Sequence, residues 1–195
     1  MIVLAVDTAL DACSVAIARD GEVLASISET MTRGQAERLA PMAREAITQA
    51  ALAFTQIDRI ATTTGPGSFT GVRVGLSFAR ALALAISKPC IGVSTLEALA
   101  LEQGEVGLRA AVIETPGASY FALYRDGAPV TAPRPIERGE HVALLGGEDA
   151  VVRGPGAVPS MAALAVRAQR LDPAHYRPDP LYLRAPHVTL PGGAS

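Results

Sequence analysis

Tryptophan is absent from this 195-residue sequence, and phenylalanine and tyrosine contribute only four residues each. Two cysteines, Cys13 and Cys90, are too few for a secreted disulfide framework, so we expect reduced, buried thiols. A formal net charge of −2 lacks the basic excess of a free-standing nucleic-acid binder. No apolar run approaches the roughly 20 residues of a membrane span, and the N-terminal MIVLAVDTA has no basic leader. We therefore expect a cytoplasmic protein.

Histidine is also scarce, and its spacing argues against a metal site. His141, His175 and His187 form neither H-x-x-x-H nor H-E-x-x-H. We expect no metal ligands and read the three residues as surface histidines. A G-x-S-x-G nucleophile elbow is missing too, although a triad built in space is left open by the sequence.

Apolar residues make up 49% of the chain and charged residues 18%, which indicates a globular domain with a buried core. The first half alternates short apolar runs with longer segments of helical period. In chain order the pattern predicts strands at 2–6, 13–18 and 23–28, a helix over 35–53, a strand at 59–64, a second helix, a strand at 90–93 and a helix from 94 onward. The order βββαβαβα predicts an α/β fold with a mixed sheet.

The second half repeats the first. The segment AVDTALDACSVAIARDGEV (5–23) aligns with VIETPGASYFALYRDGAPV (112–130), and Gly65-Pro66-Gly67 is echoed at 154–156. The repeat predicts two βββαβα lobes facing a cleft, the second lobe reduced, as in the actin, Hsp70 and sugar-kinase (ASKHA) group. We place the lobes at 1–104 and 105–172, followed by a Pro-rich tail (173–195) that packs back on the body or is partly disordered.

The loop TTTGPGSFTG (62–71) resembles a phosphate cradle but fits neither standard motif. Gly65, Gly67 and Gly71 are spaced one residue too long for G-x-G-x-x-G, and the segment has no lysine for a P-loop. We interpret Gly65, Pro66 and Gly67 as a structural strand-to-helix turn with Ser68 or Thr70 as the helix N-cap. Residual anion binding at the helix N-terminus is the alternative.

The helix after this loop has a polar side and a wide apolar side. At about 100° per residue, the polar side holds Arg73, Ser77 and Arg80, with Leu84 in its middle and Leu76 at its edge. One sheet does not cover so wide an apolar arc, and small residues let another backbone approach. Two explanations remain open: other helices of the chain cover the arc, or a partner protein does.

The first helix favours a partner. Its outward side is expected to carry Met42, Glu45 and Leu52, and exposed Met and Leu side by side suit a protein interface. The predicted interface therefore consists of residues from both helices: Met42, Glu45, Leu52, Arg73, Leu76, Ser77, Arg80 and Leu84.

Asp7 and Thr8 end the first strand, where α/β sheets place ligands. Asp7 either orders magnesium through water or caps its own turn. The second copy offers Glu114-Thr115-Pro116, and proline lacks the N–H that a phosphate cradle needs.

Four segments together resemble the TsaB (YeaZ) family: MIVLAVDTALDACSVAI, GPGSFTGVRVGLSFARALALAI, IGVSTLEALA and DPLYLRAP. The resemblance implies a catalytically inactive partner of TsaD, which transfers threonylcarbamoyl to the adenosine next to the anticodon of tRNAs reading codons that begin with A. It further implies a homodimer when alone, a heterodimer with TsaD through the first two helices, TsaE as a third component, and tRNA contact only within the complex.

The resemblance also bears on cofactors. TsaD carries an H-x-x-x-H metal motif on its first helix, whereas this chain reads RGQAERLAP at 33–41, so no cofactor of its own is expected. ATP or ADP at the joint between partners is left open, with Asp7 and Thr8 as a vestigial nucleotide loop. The competing hypothesis is a small-molecule kinase or ATPase of the same fold that uses Asp7 and Thr8.

Overall fold

The computed structural model describes residues 1–101 and 106–183. Its nine strands and five α-helices, counted over those residues, follow the order βββαβαβα in the first half of the chain and βββαβα in the second. In chain order they are β1 (Ile2–Asp7), β2 (Ala12–Arg19), β3 (Glu22–Thr30), α1 (Gln35–Gln49), β4 (Arg59–Thr63), α2 (Phe69–Ala85), β5 (Cys90–Val93), α3 (Thr95–Ala100), β6 (Leu108–Thr115), β7 (Ala118–Arg125), β8 (Ala128–Ile136), α4 (His141–Leu145), β9 (Val151–Arg153) and α5 (Met161–Arg167).

The first sheet is built around β1. Its strand order is β3-β2-β1-β4-β5, with β1 antiparallel to β2 and parallel to β4. Because successive side chains alternate, Leu4 and Val6 enter the core under α1 and α2, whereas Val3 and Ala5 enter a second core on the opposite face. A strand buried on both faces explains why β1 reads as an unbroken apolar run.

The second sheet repeats this plan with fewer parts. Its order is β8-β7-β6-β9, and β6 is antiparallel to β7 and parallel to β9. Asp7 pairs with Ser14 in the first hairpin, and Glu114 pairs with Ser119 in the second. The Asp-Gly turns at 20–21 and 126–127 both have positive φ at both residues, as tight hairpins of right-handed twist require. The duplication is therefore real, and the fold is the predicted α/β class of the actin, Hsp70 and sugar-kinase group.

One helix from each lobe packs against the sheet of the other lobe. The helix α3 follows the last strand of the first sheet but packs its Leu96 and Leu99 against β6 and β7. The helix α5 follows β9 but packs Leu164 against β1 and β2 of the first sheet. This exchange of helices places one apolar core on each side of the boundary between the lobes and holds the two lobes at the cleft.

Two predicted elements differ from the structure. The first helix ends at Gln49 rather than near residue 53, since Ala51 takes a positive φ and the amide of Leu52 turns back to the carbonyl of Ile47. In the second lobe the counterpart of α1 is the five-residue helix α4. Its short length is the reduction that the sequence predicted.

The segment after α5 lies along the edge of the first sheet. The Gly92 amide donates to the Tyr176 carbonyl at 3.0 Å, and the Leu181 amide donates to the Thr64 carbonyl at 2.8 Å. The Tyr176 hydroxyl also donates to Glu97 on α3 at 3.2 Å. The lobe boundary expected near Gly104, and the tail beyond Leu183 with His187, lie outside the described residues.

The two cysteines are free thiols, as expected, with Cys13 buried and Cys90 half-buried. Burial raises the pKa of each thiol to about 11, so both are protonated at neutral pH. Within residues 1–101 and 106–183, no helix combines the length and apolar content of a membrane span.

A buried arginine ties the exchanged helix to the first sheet. Arg59, at the start of β4, donates from Nη1 to the carbonyls of Ala168 and Leu171 at 2.5 and 2.6 Å. The Ala168 carbonyl is at the C-cap of α5, where the helix dipole attracts a cation, and the Leu171 carbonyl lies in the turn that follows.

We expect Arg59→Met to lower the free energy of unfolding by about 2 kcal/mol, because it keeps the apolar stem but removes two charged hydrogen bonds. Urea denaturation measures the change. Arg170→Met, at an exposed arginine three residues after α5, is the matched control and should shift stability by less than about 0.5 kcal/mol. Equal effects of the two substitutions would contradict the assigned role of Arg59.

Candidate functional site

The glycine loop joins β4 to α2 as a tight turn. Ser68 is the N-cap of α2, and its Oγ accepts from the Gly71 amide at 3.3 Å. The φ of Gly65 is +102°, a conformation that glycine adopts at little cost. Gly65, Pro66, Gly67 and Ser68 thus begin the helix directly above the C-terminal edge of the sheet.

The loop is bonded to the turn after β1. The Ser68 amide donates to the Ala9 carbonyl at 2.7 Å, and Thr8 Oγ1 donates to the Gly71 carbonyl at 2.7 Å. A Cβ atom at Gly67 or Gly71 would overlap the carbonyl oxygen of Ala9 or Thr8, respectively. The glycines therefore allow the turn after β1 to lie against the first turn of α2.

Asp7 lies beneath this contact and is fully buried. Its Oδ1 accepts from the Thr63 hydroxyl and from the Ala9 amide, the latter at 3.1 Å, so the side chain caps its own turn. Its Oδ2 has no partner among the described residues. Desolvation raises the pKa of Asp7 to about 6, and the hydrogen bonds from Thr63, Ala9 and Thr8 only partly offset it.

The cleft between the lobes has a volume of about 500 Å³ and passes between Ser68 and Glu114. Glu114 pairs with Arg138 at 3.3 Å, and Pro116 occupies the turn where a second phosphate loop would need an amide donor. The described part of the chain contains no group of three or more His, Cys, Asp or Glu residues that could hold a metal ion. Thr8 and Asp7 are bonded inside the protein and do not line this cleft.

The outer side of α2 is open. Arg73, Ser77, Arg80 and Leu84 are all exposed and follow one another at intervals of four, three and four residues, which places them in one stripe. The Leu84 side chain is 82% exposed, the most of any large apolar residue in the described ranges. Leu84 is therefore the apolar member of an otherwise polar exposed stripe.

The prediction that Leu76 and Met42 are exposed at an interface is wrong for both residues. Leu76 is only 4% exposed, because the turn after β1 covers it with Ala9 and Leu10. Met42 is fully buried, because α1 packs against both the sheet and α2 and so buries a broader arc than the helical wheel assumed.

The other two residues predicted on this side of the surface, Leu52 and Glu45, are less available for a contact than expected. Leu52 lies beyond the helix end and is half-buried against the core. Glu45 is exposed, but Arg38 already binds it at 2.8 Å, which lowers the pKa of the carboxyl. The exposed stripe therefore reduces to Arg73, Ser77, Arg80 and Leu84.

Sequence reasoning missed two aromatic residues beside this stripe. Phe69 is 57% exposed and Tyr182 is 54% exposed, and their ring centroids are 6.3 Å apart. The Arg73 guanidinium carbon lies 3.7 Å from the Phe69 ring centroid, and Arg73 also donates to the Tyr182 hydroxyl at 3.3 Å. The spacing of Phe69 and Arg73, four residues apart on a helix, was a signal for the first contact. Nothing in the sequence indicates the second.

A family model and curated relatives that match this sequence belong to the same tRNA-modification family. The family model described as "TsaD: tRNA N6-adenosine threonylcarbamoyltransferase" matches residues 22–120, which are 99 of the 195 residues. The tRNA threonylcarbamoyladenosine biosynthesis protein TsaB of Escherichia coli is 41% identical over 129 residues, covering 64% of this chain and 55% of the relative. TsaB of Haemophilus influenzae is 43% identical over 97 residues, covering 50% of this chain and 41% of the relative.

A solved structure extends the likeness over the whole chain. YeaZ from Pseudomonas aeruginosa superposes with a TM-score of 0.74 at 28% identity, covering 93% of this chain and 99% of that one. The aligned sequence nevertheless spans only about half the length of the curated relatives that it matches.

The contact between α2 and the turn after β1 predicts an unusual response to alanine. In most helices Gly→Ala adds about 1 kcal/mol of stability, but Gly71→Ala places a methyl group against the Thr8 carbonyl. We expect a loss of about 2 kcal/mol, seen as a lower midpoint of thermal unfolding. Ser77→Ala, on the exposed side of the same helix, is the control and should be neutral or slightly stabilising. A stabilised Gly71→Ala protein would contradict the close contact.

The buried carboxyl predicts a pH dependence of stability. Since the pKa of Asp7 is about 6 in the folded protein against an ordinary value of 3.8, the folded state binds the proton more tightly. The protonated Asp7 side chain therefore stabilises the fold at low pH. As the pH rises from about 4 to about 6, we expect the free energy of unfolding to fall by about 3 kcal/mol.

Asp7→Asn cannot titrate, so the stability difference between the variant and the native protein should change by this amount between about pH 4 and pH 7. Chemical denaturation over that range measures it. A constant difference would show that Asp7 is not the group responsible.

Proposed function

Because the chain belongs to the family of tRNA N6-adenosine threonylcarbamoyltransferase (TsaD) and its TsaB (YeaZ) relatives, we propose that it is a non-catalytic subunit that pairs with TsaD. In this role it supports threonylcarbamoyl transfer to the adenosine next to the anticodon of tRNAs reading codons that begin with A. Pairing stabilises the active arrangement of TsaD and completes the surface that binds tRNA.

The observation that carries this proposal is the exposed stripe on α2. A helix in the middle of a packed lobe presents Leu84 and two arginines outward, beside the exposed rings of Phe69 and Tyr182. Aromatic residues and arginine are enriched in interface cores relative to the rest of a protein surface.

The geometry of the loop supports a non-catalytic role. The Ser68 amide and the Thr8 hydroxyl are bonded within the protein, and Asp7 caps its own turn beneath them. At residues 33–41, where the resemblance places the metal motif of TsaD, this chain has Arg33, Glu37 and no histidine. The kinase or ATPase hypothesis needs Asp7 and Thr8 to face a ligand, and both are buried.

The assembly proposed for this chain has further parts. Alone, it forms a homodimer through the same helix, and TsaD displaces one copy. TsaE then joins the heterodimer, tRNA binds only to the complex, and ATP or ADP binds at the joint between partners. These parts rest on the family resemblance. We place the assembly in the cytoplasm, with the tRNA on which TsaD acts.

Light scattering of the purified chain, alone and with TsaD of the same organism, tests the pairing. We expect a homodimer that gives way to a heterodimer, and loss of both in Leu84→Glu, because burying an unpaired carboxylate at an interface is costly. Leu76→Glu is unsuitable, since Leu76 is buried within the chain and its loss would impair folding.

Val142→Glu is the matched control, because Val142 is 69% exposed on α4 in the other lobe. It should pair as the native chain does. A monomer indifferent to TsaD would refute the proposed pairing, and magnesium-dependent ATP turnover by the chain alone would refute the non-catalytic role.

A further inference from the structure

The helix α2 is a cationic surface without a single carboxylate. Residues 69–85 contain Arg73 and Arg80 but no Asp or Glu. Both arginines are exposed, and neither forms an ion pair with any residue in the described ranges. Some other surface arginines are paired: Arg38 binds Glu29, and Arg125 binds Glu148. Among the described residues, no carboxylate neutralises the two guanidinium groups on α2.

Arg73 is held in place before any partner arrives. Its guanidinium lies over the Phe69 ring at 3.7 Å and donates to the Tyr182 hydroxyl at 3.3 and 3.4 Å. A guanidinium has five N–H donors, so several remain for an acceptor. Restricting an arginine in advance reduces the entropy lost when it binds a carboxylate.

A groove of about 480 Å³ runs between α2 and the segment after α5. It opens between the two arginines and is lined by Arg73, Leu76, Ser77, Arg80, Pro180 and Tyr182. Arg73 and Arg80 are seven residues apart, which is two helical turns or about 10 Å along the axis. Carboxylates seven residues apart on a facing helix have the same spacing.

We propose that the α2 stripe recognises an acidic helix face of the partner subunit, with Arg73 and Arg80 as specificity-determining residues that each bind a partner carboxylate. This inference rests on the proposed function and adds the chemistry of the partner surface. Leu84 supplies the apolar end of the contact, and Tyr182 closes its other edge.

A second copy of the chain satisfies this surface less well. A two-fold axis at α2 brings four guanidinium groups to one interface, and α2 offers no carboxylate to meet them. Glu45 on α1 is exposed but is already bound by Arg38. Like charges facing one another weaken the homodimer relative to a heterodimer with an acidic partner.

The test is the affinity of the chain for TsaD of the same organism, measured by calorimetry for the native protein and for the double variant Arg73→Glu/Arg80→Glu. We expect at least about tenfold weaker binding for the variant. Native binding should also weaken between about 50 mM and about 500 mM salt, because ion pairs at the rim of an interface are screened. Circular dichroism confirms that the variant is folded.

Arg134→Glu/Arg170→Glu is the matched control, because it reverses two exposed arginines outside α1 and α2 and should bind within about twofold of native. Single Glu→Arg or Asp→Arg substitutions on the helices of TsaD should restore binding to the double variant at one or two positions. Such rescue requires a direct charge pair and would not follow from general damage to the surface.

Three outcomes overturn the inference. Unchanged affinity of the double variant overturns it alone and leaves the proposed pairing intact. Dissociation of the homodimer by the double variant, with unchanged binding to TsaD, assigns the two arginines to a second copy instead. A native chain without affinity for TsaD overturns the proposed function together with this inference.

Discussion

The rest of the structure depends on the contact between the turn after β1 and the first turn of α2. Gly67 and Gly71 bring the helix close enough for Thr8 to bond the Gly71 carbonyl and for Ala9 to accept from the Ser68 amide. This contact buries Asp7, covers Leu76 and sets the direction in which α2 crosses the sheet.

Fixing one side of α2 leaves the opposite side free for recognition. The exchange of α3 and α5 between the lobes, with Arg59 bound to the end of α5, adds apolar cores on both sides of the joint. The stripe of Arg73, Ser77, Arg80 and Leu84 is therefore carried by a firmly supported helix, which suits it to bind a partner with little loss of entropy.

Much of this fold could be predicted from the sequence, because its signals are local. Short apolar runs identified the strands of the first lobe, Asp-Gly pairs identified the hairpin turns, and the two aligned segments identified the second lobe. The site was less predictable. A helical wheel gives angles but not neighbours, so it placed Met42 and Leu76 outward, although α1 is covered on two sides and Leu76 lies under Leu10.

The sequence by itself determined the order of elements, the duplication, the glycine turn that starts α2 and the cationic character of α2, since each can be read from short stretches of residues. Only the tertiary structure decided which apolar residues of the two helices are exposed. It also brought Tyr182 to Arg73 across 109 residues of chain. Burial and long-range contact depend on how separate elements pack, and no short-range pattern encodes that.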